Sequence, residues 1–369
     1  MGGNGASFAA RLARFASFAR SAKCAKSAKY ARNRHVVSAK ETHRARREVI
    51  AVTGANGFIG RAFCARAAAR GRRLRCFVRH VEDRAPIAAT EAVDVHALDL
   101  ARATVDDLAA RLTDVRVVIH LAGRAHVMRE AASDSEAAYR AANEVATLHV
   151  AKAAVAAGVS RLVLASSVKV NGERTERGHP FRPEDRVATA DAYARSKCAA
   201  ERALSEAATG TAMGAVVLRL PLVYGPNARG NFRRLVDAVR QRRWLPFGAI
   251  DNRRSLLGVE NLLDALDAAI DVPQGVVEGV YFVADSASVS TPDLVRAIAR
   301  SLGTEARLVA VPVPLLRIAG RVTARDDAID RLTSSLEVDT SSFAATTGWR
   351  PRPFAIDSAT VGDANERGI

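Results

Sequence analysis

A chain of 369 residues, 49% of them hydrophobic, can bury a substantial core as one large domain or two smaller ones. Its formal charge of +16 invites a nucleic-acid partner. However, residues 1–48 hold 12 Lys and Arg against 2 acids, so most of the excess sits in the leader and the body gives little support to that class. No stretch approaches the ~18 consecutive apolar residues of a membrane span, so a soluble protein without stable membrane insertion is expected.

The first element is the leader, residues 1–47, rich in Ala, Arg and Ser with no acid before Glu41. It superficially matches an organelle transit peptide and lacks the apolar core of a secretory signal. The preferred account is a start codon placed too early, since no Met follows Met1 until Met128. On either account the leader is expected to be disordered or mis-started and to stand outside the fold. Cys24, Cys64, Cys76 and Cys198 show neither CxxC spacing nor a nearby His pair, which argues against a metal site or a disulfide framework and for a cytoplasmic setting.

From Glu48 onward, short apolar runs alternate with Ala-rich helical stretches, the pattern of an α/β fold with βαβ units around a parallel sheet. Strands are expected at Val49–Thr53, Leu74–Val78, Val93–Leu98, Val115–Leu121, Arg161–Ser166 and Ala215–Leu220. Runs such as VRVVIHLA and RLVLASS are apolar on both alternating faces, as strands covered on both sides must be. Past Leu220 the rhythm loosens into Pro, Gly and Arg segments. The expected organisation is a dinucleotide-binding domain at 48–220, a smaller lobe mainly for substrate at 221–356, and a tail at 357–369.

The segment EVIAVTGANGFIGRAFCARAAARG sets a strand, a glycine turn and a helix in succession, with Gly54, Gly57 and Gly60 in the turn. Gly54 allows the sharp turn, Gly57 a close approach to a pyrophosphate, and Gly60 tight packing of helix on sheet. Where an acid after the second strand would bind the ribose hydroxyls of NAD, this chain has Val78, Arg79 and His80. A guanidinium pairs well with a 2′-phosphate, so Arg79 tilts the cofactor toward NADP, unless it is only a solvated surface arginine. Asp99, in HALDL after the third strand, is placed to meet an adenine amine or to cap a helix.

In DAYARSKCAAERAL, Tyr193 and Lys197 lie four apart and project from one helix face. A neighbouring ammonium is expected to lower the phenol's pKa and make it a usable acid–base at neutral pH. Ser167, at the carboxyl end of strand RLVLASS, stands where open parallel sheets place their ligands, and its hydroxyl can bond the same reacting oxygen.

Together these motifs make the chain resemble the extended short-chain dehydrogenases/reductases, the nucleotide-sugar epimerase/dehydratase family. The resemblance runs from about Val49 to Phe354 and rests on TGANGFIG, the HLAG run at His120–Gly123, Asn143 in YRAANEVATL, SSVKVNG, YARSK and PLVYGPN. It implies a Rossmann-type doubly wound parallel sheet with a smaller carboxyl-terminal substrate lobe. Ser167, Tyr193 and Lys197 would be catalytic, with Tyr193 and Lys197 also touching the nicotinamide ribose. Asn56, Phe58 and Ile59 would join the three glycines around NAD or NADP, with Leu100 beside Asp99, then Leu121, Ala122 and Gly123, and Pro221 and Val223 passing the nicotinamide. A UDP-sugar would meet Ser167, Asn231, Phe232 and Arg254, and relatives commonly form homodimers through two helices, one carrying the Tyr–Lys pair.

Departures from the family narrow the chemistry. Sugar 4,6-dehydratases carry Thr-Asp-Glu where this chain has Ser167, Val168 and Lys169, so water elimination lacks its acids. What remains is a carbon-4 epimerase, which oxidises the sugar and returns the hydride to the other face, or a 4-keto reductase that delivers a hydride once. The stretches VNGERT, NFRRL and NRRSLLG resemble a bacterial 4-epimerase-like branch that includes reductases of UDP-4-keto-6-deoxy-N-acetylhexosamines for surface polysaccharide synthesis. From another class, a non-catalytic NAD(P) sensor would keep the glycine loop and have no need of the tyrosine.

Overall fold

A computed structural model of the chain describes residues 48–84, 87, 92–125, 132–323 and 326–362, so the expected leader lies outside the described residues. Val49–Thr53 (β1) leads through the glycine turn into Phe58–Ala69 (α1), and Arg73–Val78 (β2) and Val93–Ala97 (β3) follow. Val105–Arg111 (α2) precedes Val115–His120 (β4). Ala132–Tyr139 (α3) runs through a π-helical turn at Arg140–Val145 into Ala146–Ala156 (α4) and then Arg161–Ser167 (β5). Ala192–Ala208 (α5) leads to Gly214–Leu220 (β6), so all six expected strands form with ends shifted by a residue or less.

Beyond Leu220 come Leu222–Tyr224 (β7), Asn231–Arg240 (α6), Leu256–Gly258 (β8), Val259–Asp271 (α7) and Gly279–Phe282 (β9). Helices Thr291–Ser301 (α8), Val313–Val322 (α9), Asp326–Thr333 (α10), Ser341–Thr347 (α11) and Ser358–Val361 (α12) complete the described chain. The main sheet has seven parallel strands in the order β3-β2-β1-β4-β5-β6-β9, and β7 pairs with β8 in a separate ribbon. The last strand of the main sheet is therefore drawn from beyond Leu220.

β1 and β6 are buried along their whole length because helices cover both faces of the sheet, which is why they read as unbroken apolar runs. One core layer packs Phe63, Ile119, Leu262 and Leu266 against one face, and a second packs Val118, Leu162, Val150 and Leu204 against the other. β3 lies at one edge of the sheet, and Asp94 and His96 there bond each other at 2.6 Å, a polar edge that discourages further pairing. A third core, around Phe232, Ile298 and Leu256, belongs to the carboxyl-terminal lobe and takes in Val361 from α12.

Two polar devices fix helix positions. Arg66 meets Asp264 at 2.6 Å and Arg72 meets Asp271 at 2.8 Å, with Arg66–Glu260 and Arg70–Asp267 contacts completing a charged seam between α1 and its neighbour α7. Arg161, 2% exposed at the base of β5, donates to the main-chain oxygens of Ala269 (2.7 Å), Val272 (3.0 Å) and Pro273 (2.8 Å). It satisfies the carbonyls that the end of α7 leaves without helical partners. The strand order reverses between β1 and β4, which opens a crevice at their carboxyl ends.

Candidate active site

The glycine turn stands at that crevice. Gly54 has φ +67°, and a Cβ there would lie 2.7 Å from the Ala122 amide nitrogen, so only glycine fits between the loops after β1 and β4. A Cβ on Gly60 would fall 2.2 Å from the Gly54 oxygen. The Thr53 hydroxyl accepts from the Ala122 amide at 3.2 Å and ties the two loops together. α1 begins at Gly57 with no side-chain cap, which leaves its first amide N–H groups to an anion. A bare backbone cradle of this kind fits the pyrophosphate of a dinucleotide.

Asn56, Phe58 and Ile59 sit in this turn and the first helical residues, and Leu121, Ala122 and Gly123 follow β4 directly. A Cβ on Gly225 would meet the Phe58 ring at 3.5 Å, so the start of α1 lies against the segment after β6 that holds Pro221 and Val223. Arg79 is exposed at the end of β2. Leu100 is 8% exposed, and Asp99 caps a turn by accepting from the Ala101 amide at 3.1 Å, while the cap of α2 is Thr104.

The sequence-expected triad is brought together at the end of β5. Ser167 is 7% exposed and its hydroxyl bonds the Tyr193 phenol, which projects from α5. Lys197, 6% exposed, donates through Nζ to the Ala165 oxygen at 2.9 Å. Asn143, in the π-helical turn, accepts through Oδ1 from the Arg124 amide at 2.8 Å and donates through Nδ2 to Ser196 Oγ at 2.8 Å. Ser196 in turn donates to the main-chain oxygen of Tyr193 at 2.8 Å, so the turn is bolted to the helix that carries the pair. A Cβ on Gly123 would lie 2.8 Å from Asn143 Oδ1 and 3.1 Å from Lys197 Nζ, so a side chain there would press on both.

The electrostatics correct one expectation. Burial pushes the Tyr193 phenol up to about 12, and the Ser167 hydrogen bond opposes this without reversing it. The Lys197 ammonium is turned to the Ala165 oxygen, and desolvation of the phenolate outweighs the interactions that favour it. Burial also pushes Lys197 down to about 8, against which the Glu201 carboxylate pulls upward. His120, fully buried between Thr53 Oγ1 (2.7 Å) and Thr147 Oγ1 (3.0 Å), is pushed down to about 3 by burial and then by Lys197. A histidine held neutral in this way is a hydrogen-bonding strut and no proton store.

Where a dehydratase would carry its acid, Lys169 forms ion pairs with Asp191 at 2.7 Å and with Glu173 at 2.5 Å. Asp191 caps α5 by accepting from the Ala194 amide at 2.7 Å, so Lys169 ties the turn after Ser167 to the helix of Tyr193. Arg254 donates to the Ser334 oxygen at 2.9 Å, and burial lowers it to about 10 while Glu173 pulls it upward. Asn231 is exposed at the start of α6, whereas the Phe232 ring is 2% exposed in the lobe core, 5.8 Å from Tyr224. The Phe232 side chain is therefore committed to packing.

The profile of the NAD dependent epimerase/dehydratase family matches residues 50–284, and the chain runs 35% identical over 304 residues to UDP-glucose 4-epimerase of Vibrio cholerae, across 82% of this chain and 90% of that protein. The chain belongs to this family. Among solved structures, MoeE5 in complex with UDP-glucose and NAD superposes with a TM-score of 0.66 at 24% identity, covering 83% of this chain and 94% of its own. The Bordetella bronchiseptica enzyme WbmG in complex with NAD gives a TM-score of 0.66 at 21% identity, covering 85% of this chain and 91% of its own. At these identities the two structures speak to the fold, an extended short-chain dehydrogenase/reductase fold with its Rossmann-type sheet, and the family membership makes the chain an enzyme.

For this member of the NAD dependent epimerase/dehydratase family, motif reading left several groups around the site without a part. Glu201 and Arg219 are fully buried next to the triad, yet a lone Glu on an amphipathic helix and a lone Arg in an apolar strand carry no signal of each other. The position of Glu201 four residues after Lys197, on the same helix face, was the available clue. Among the described residues no helix is long and apolar enough to cross a membrane.

Proposed function

We propose that the chain is an NAD-dependent UDP-sugar 4-epimerase, a soluble enzyme of nucleotide-sugar metabolism. The observation that carries this reading is the convergence of Ser167, Tyr193 and Lys197 at the carboxyl end of β5, with Ser167 and Lys197 buried and the Ser167 hydroxyl bonded to the Tyr193 phenol, in a chain that also carries an uncapped glycine turn. The UDP-glucose 4-epimerase of Vibrio cholerae, 35% identical across most of both chains, supports the substrate class.

The cofactor, when bound, supplies a hydride acceptor and donor at the nicotinamide. The chain's own residues do the rest. Ser167 bonds the sugar's reacting oxygen and holds it against the Tyr193 phenol. Tyr193 takes the hydroxyl proton from carbon 4 and gives it back after the sugar has turned. Lys197 holds the cofactor ribose and, turned from Ala165 toward the phenol, stabilises the phenolate. Arg254 meets the diphosphate, and Asn231 with the main chain of Phe232 flanks it.

The second reading, a 4-keto reductase serving surface polysaccharide precursors, is favoured by Arg79 at the cofactor-choosing position and by the phenol's retention of its proton. Purified protein incubated with UDP-glucose, UDP-N-acetylglucosamine or a UDP-4-keto-6-deoxy sugar separates the two. Epimer without net cofactor change is expected. Stoichiometric NADPH consumption with the keto sugar alone would replace the epimerase by the reductase, and no reaction with any of them would remove both.

A further inference from the structure

Glu201 lies four residues beyond Lys197 on α5, and both side chains are buried, at 2% and 6% exposure. Arg219 of β6, 1% exposed, grips the Glu201 carboxylate with both arms of its fork, Nε to Oε1 at 3.0 Å and Nη2 to Oε2 at 2.6 Å, and the Ser166 hydroxyl donates to Oε1. The remaining Arg219 nitrogen, Nη1, donates to Asn171 Oδ1 at 2.7 Å and to the Pro183 oxygen at 3.3 Å. One ion pair thus grips the residue before Ser167, the turn after it, and the helix that carries Tyr193 and Lys197.

Such a pair is a poor choice for stability alone, because desolvating two charges costs about what their attraction returns and apolar residues of similar volume do as well or better. Its place, one helical turn from Lys197 and against the strand of Ser167, points to another use. The titratable or charged groups around Lys197 are Tyr193 and Glu201 on its own helix, His120 at the end of β4 and Arg219 on β6, with the neutral Asn143 amide and Ala165 oxygen between them. Glu201 is the acid of this set: it stands one helical turn from Lys197 on the same buried face, and its carboxylate is held by Ser166, the neighbour of the Ala165 whose oxygen takes the Lys197 ammonium, so the anion and the lysine share one desolvated site in which Glu201 pulls the lysine upward.

We propose that Glu201, clamped by Arg219 and Ser166, is a positioning residue that keeps the buried Lys197 in its ammonium form while locking the Ser167 strand to the Tyr193 helix. The Tyr193 and Lys197 roles come from the function proposed above, on which the inference rests, but the charge of Lys197 is measurable without turnover. The chain has only seven lysines, so Lys197 can be followed by its side-chain ¹³Cε and ¹⁵Nζ resonances in lysine-labelled full-length protein, assigned by loss of the signal in Lys197→Met. In Glu201→Gln the Lys197 midpoint should fall by ~1 pH unit or more, as when an opposite charge within ~4–6 Å is removed. The variant leaves Arg219 as an uncompensated buried charge and is liable to unfold. Glu201→Met/Arg219→Met removes both charges, should fold, and should show the same fall. The alkaline limb of the turnover profile should move with the midpoint.

An unchanged Lys197 midpoint in the folded double variant, or in Glu201→Gln, overturns the proposal and reduces the pair to a structural tie. Wild-type protein that turns over none of the UDP-sugars while its Lys197 midpoint still follows Glu201 would sink the functional reading and leave this one standing.

Discussion

Lys197 Nζ donates to the main-chain oxygen of Ala165 at 2.9 Å, two residues upstream of Ser167 on the same strand. The ammonium is thereby parked beside the reaction centre in a buried site that pushes it down to about 8. Charged lysine is the working form, so turnover should fall as pH rises through about 8. Stability moves the other way. The folded chain gives up this proton near 8 and the unfolded chain only near the ordinary 10.5, so between them the unfolded state binds more protons and raising the pH favours folding at this group. The stability difference between wild type and Lys197→Met, read by denaturant melts, should shift toward the wild type across that window. A flat difference would show that Lys197 is not held down by burial.

Removing only the phenolic oxygen tests the acid–base assignment. Tyr193→Phe keeps the ring packed edge-on against Tyr139, 6.0 Å between centroids. Turnover should drop by ~10²–10⁴-fold, the usual contribution of a positioned acid–base group, with cofactor affinity close to unchanged. Near wild-type turnover would take Tyr193 out of the mechanism.

Gly123 should tolerate a side chain poorly. In Gly123→Ala the new methyl falls 2.8 Å from Asn143 Oδ1 and 3.1 Å from Lys197 Nζ, and a lysine that yields to it gives up its strand contact. Loss of ~10²-fold in kcat is expected from a displacement of about an ångström. Unimpaired turnover in this variant would mean that the loop after β4 has room the structure denies.

Arg79, exposed at the end of β2, should read the cofactor's 2′-phosphate if it reads anything. Arg79→Ala should weaken NADPH binding at least several-fold more than NADH binding in calorimetry. Equal losses would leave the NADP leaning without a residue to carry it.

Arg161 is far from the chemistry, at the opposite end of β5 from Ser167. In Arg161→Met the carbonyls of Ala269, Val272 and Pro273 lose a charged donor in a buried place, and a cost of about 3 kcal/mol is expected. Chemical denaturation should show it while KM for the sugar holds. A change confined to KM would contradict a purely supporting role.

The parts of the fold legible in the sequence are those set by short-range pattern. β1, β4 and β5 could be found because strands buried on both faces must be largely apolar, and the glycine turn because Gly54 answers a steric demand from the neighbouring loop and Gly60 one from the turn itself. What depends on distant burial was hidden. The direction of the Tyr193 shift depends on how much of the site is desolvated, which no spacing reveals, and the near pairing with Lys197 suggested the opposite sign. Phe232 sits in a motif that suggested a ligand contact, yet its ring packs in the lobe core with Tyr224 and Ile298. β9 was missed because four residues of strand in a Gly-rich context carry too little periodicity to separate from loop.

That late strand has a consequence for anyone wishing to re-engineer the enzyme. Since β9 closes the sheet against β6 after α6 and α7 have been laid down, the chain leaves the cofactor body and re-enters it before the lobe is finished. Phe282, just inside β9, also packs with Val168 next to Ser167 and with Leu336 from far down the chain. A lobe borrowed from a relative with another sugar preference could not be grafted at one junction after Leu220. It would have to be spliced on both sides of β9, and any mismatch at Phe282 would be felt one residue from Ser167.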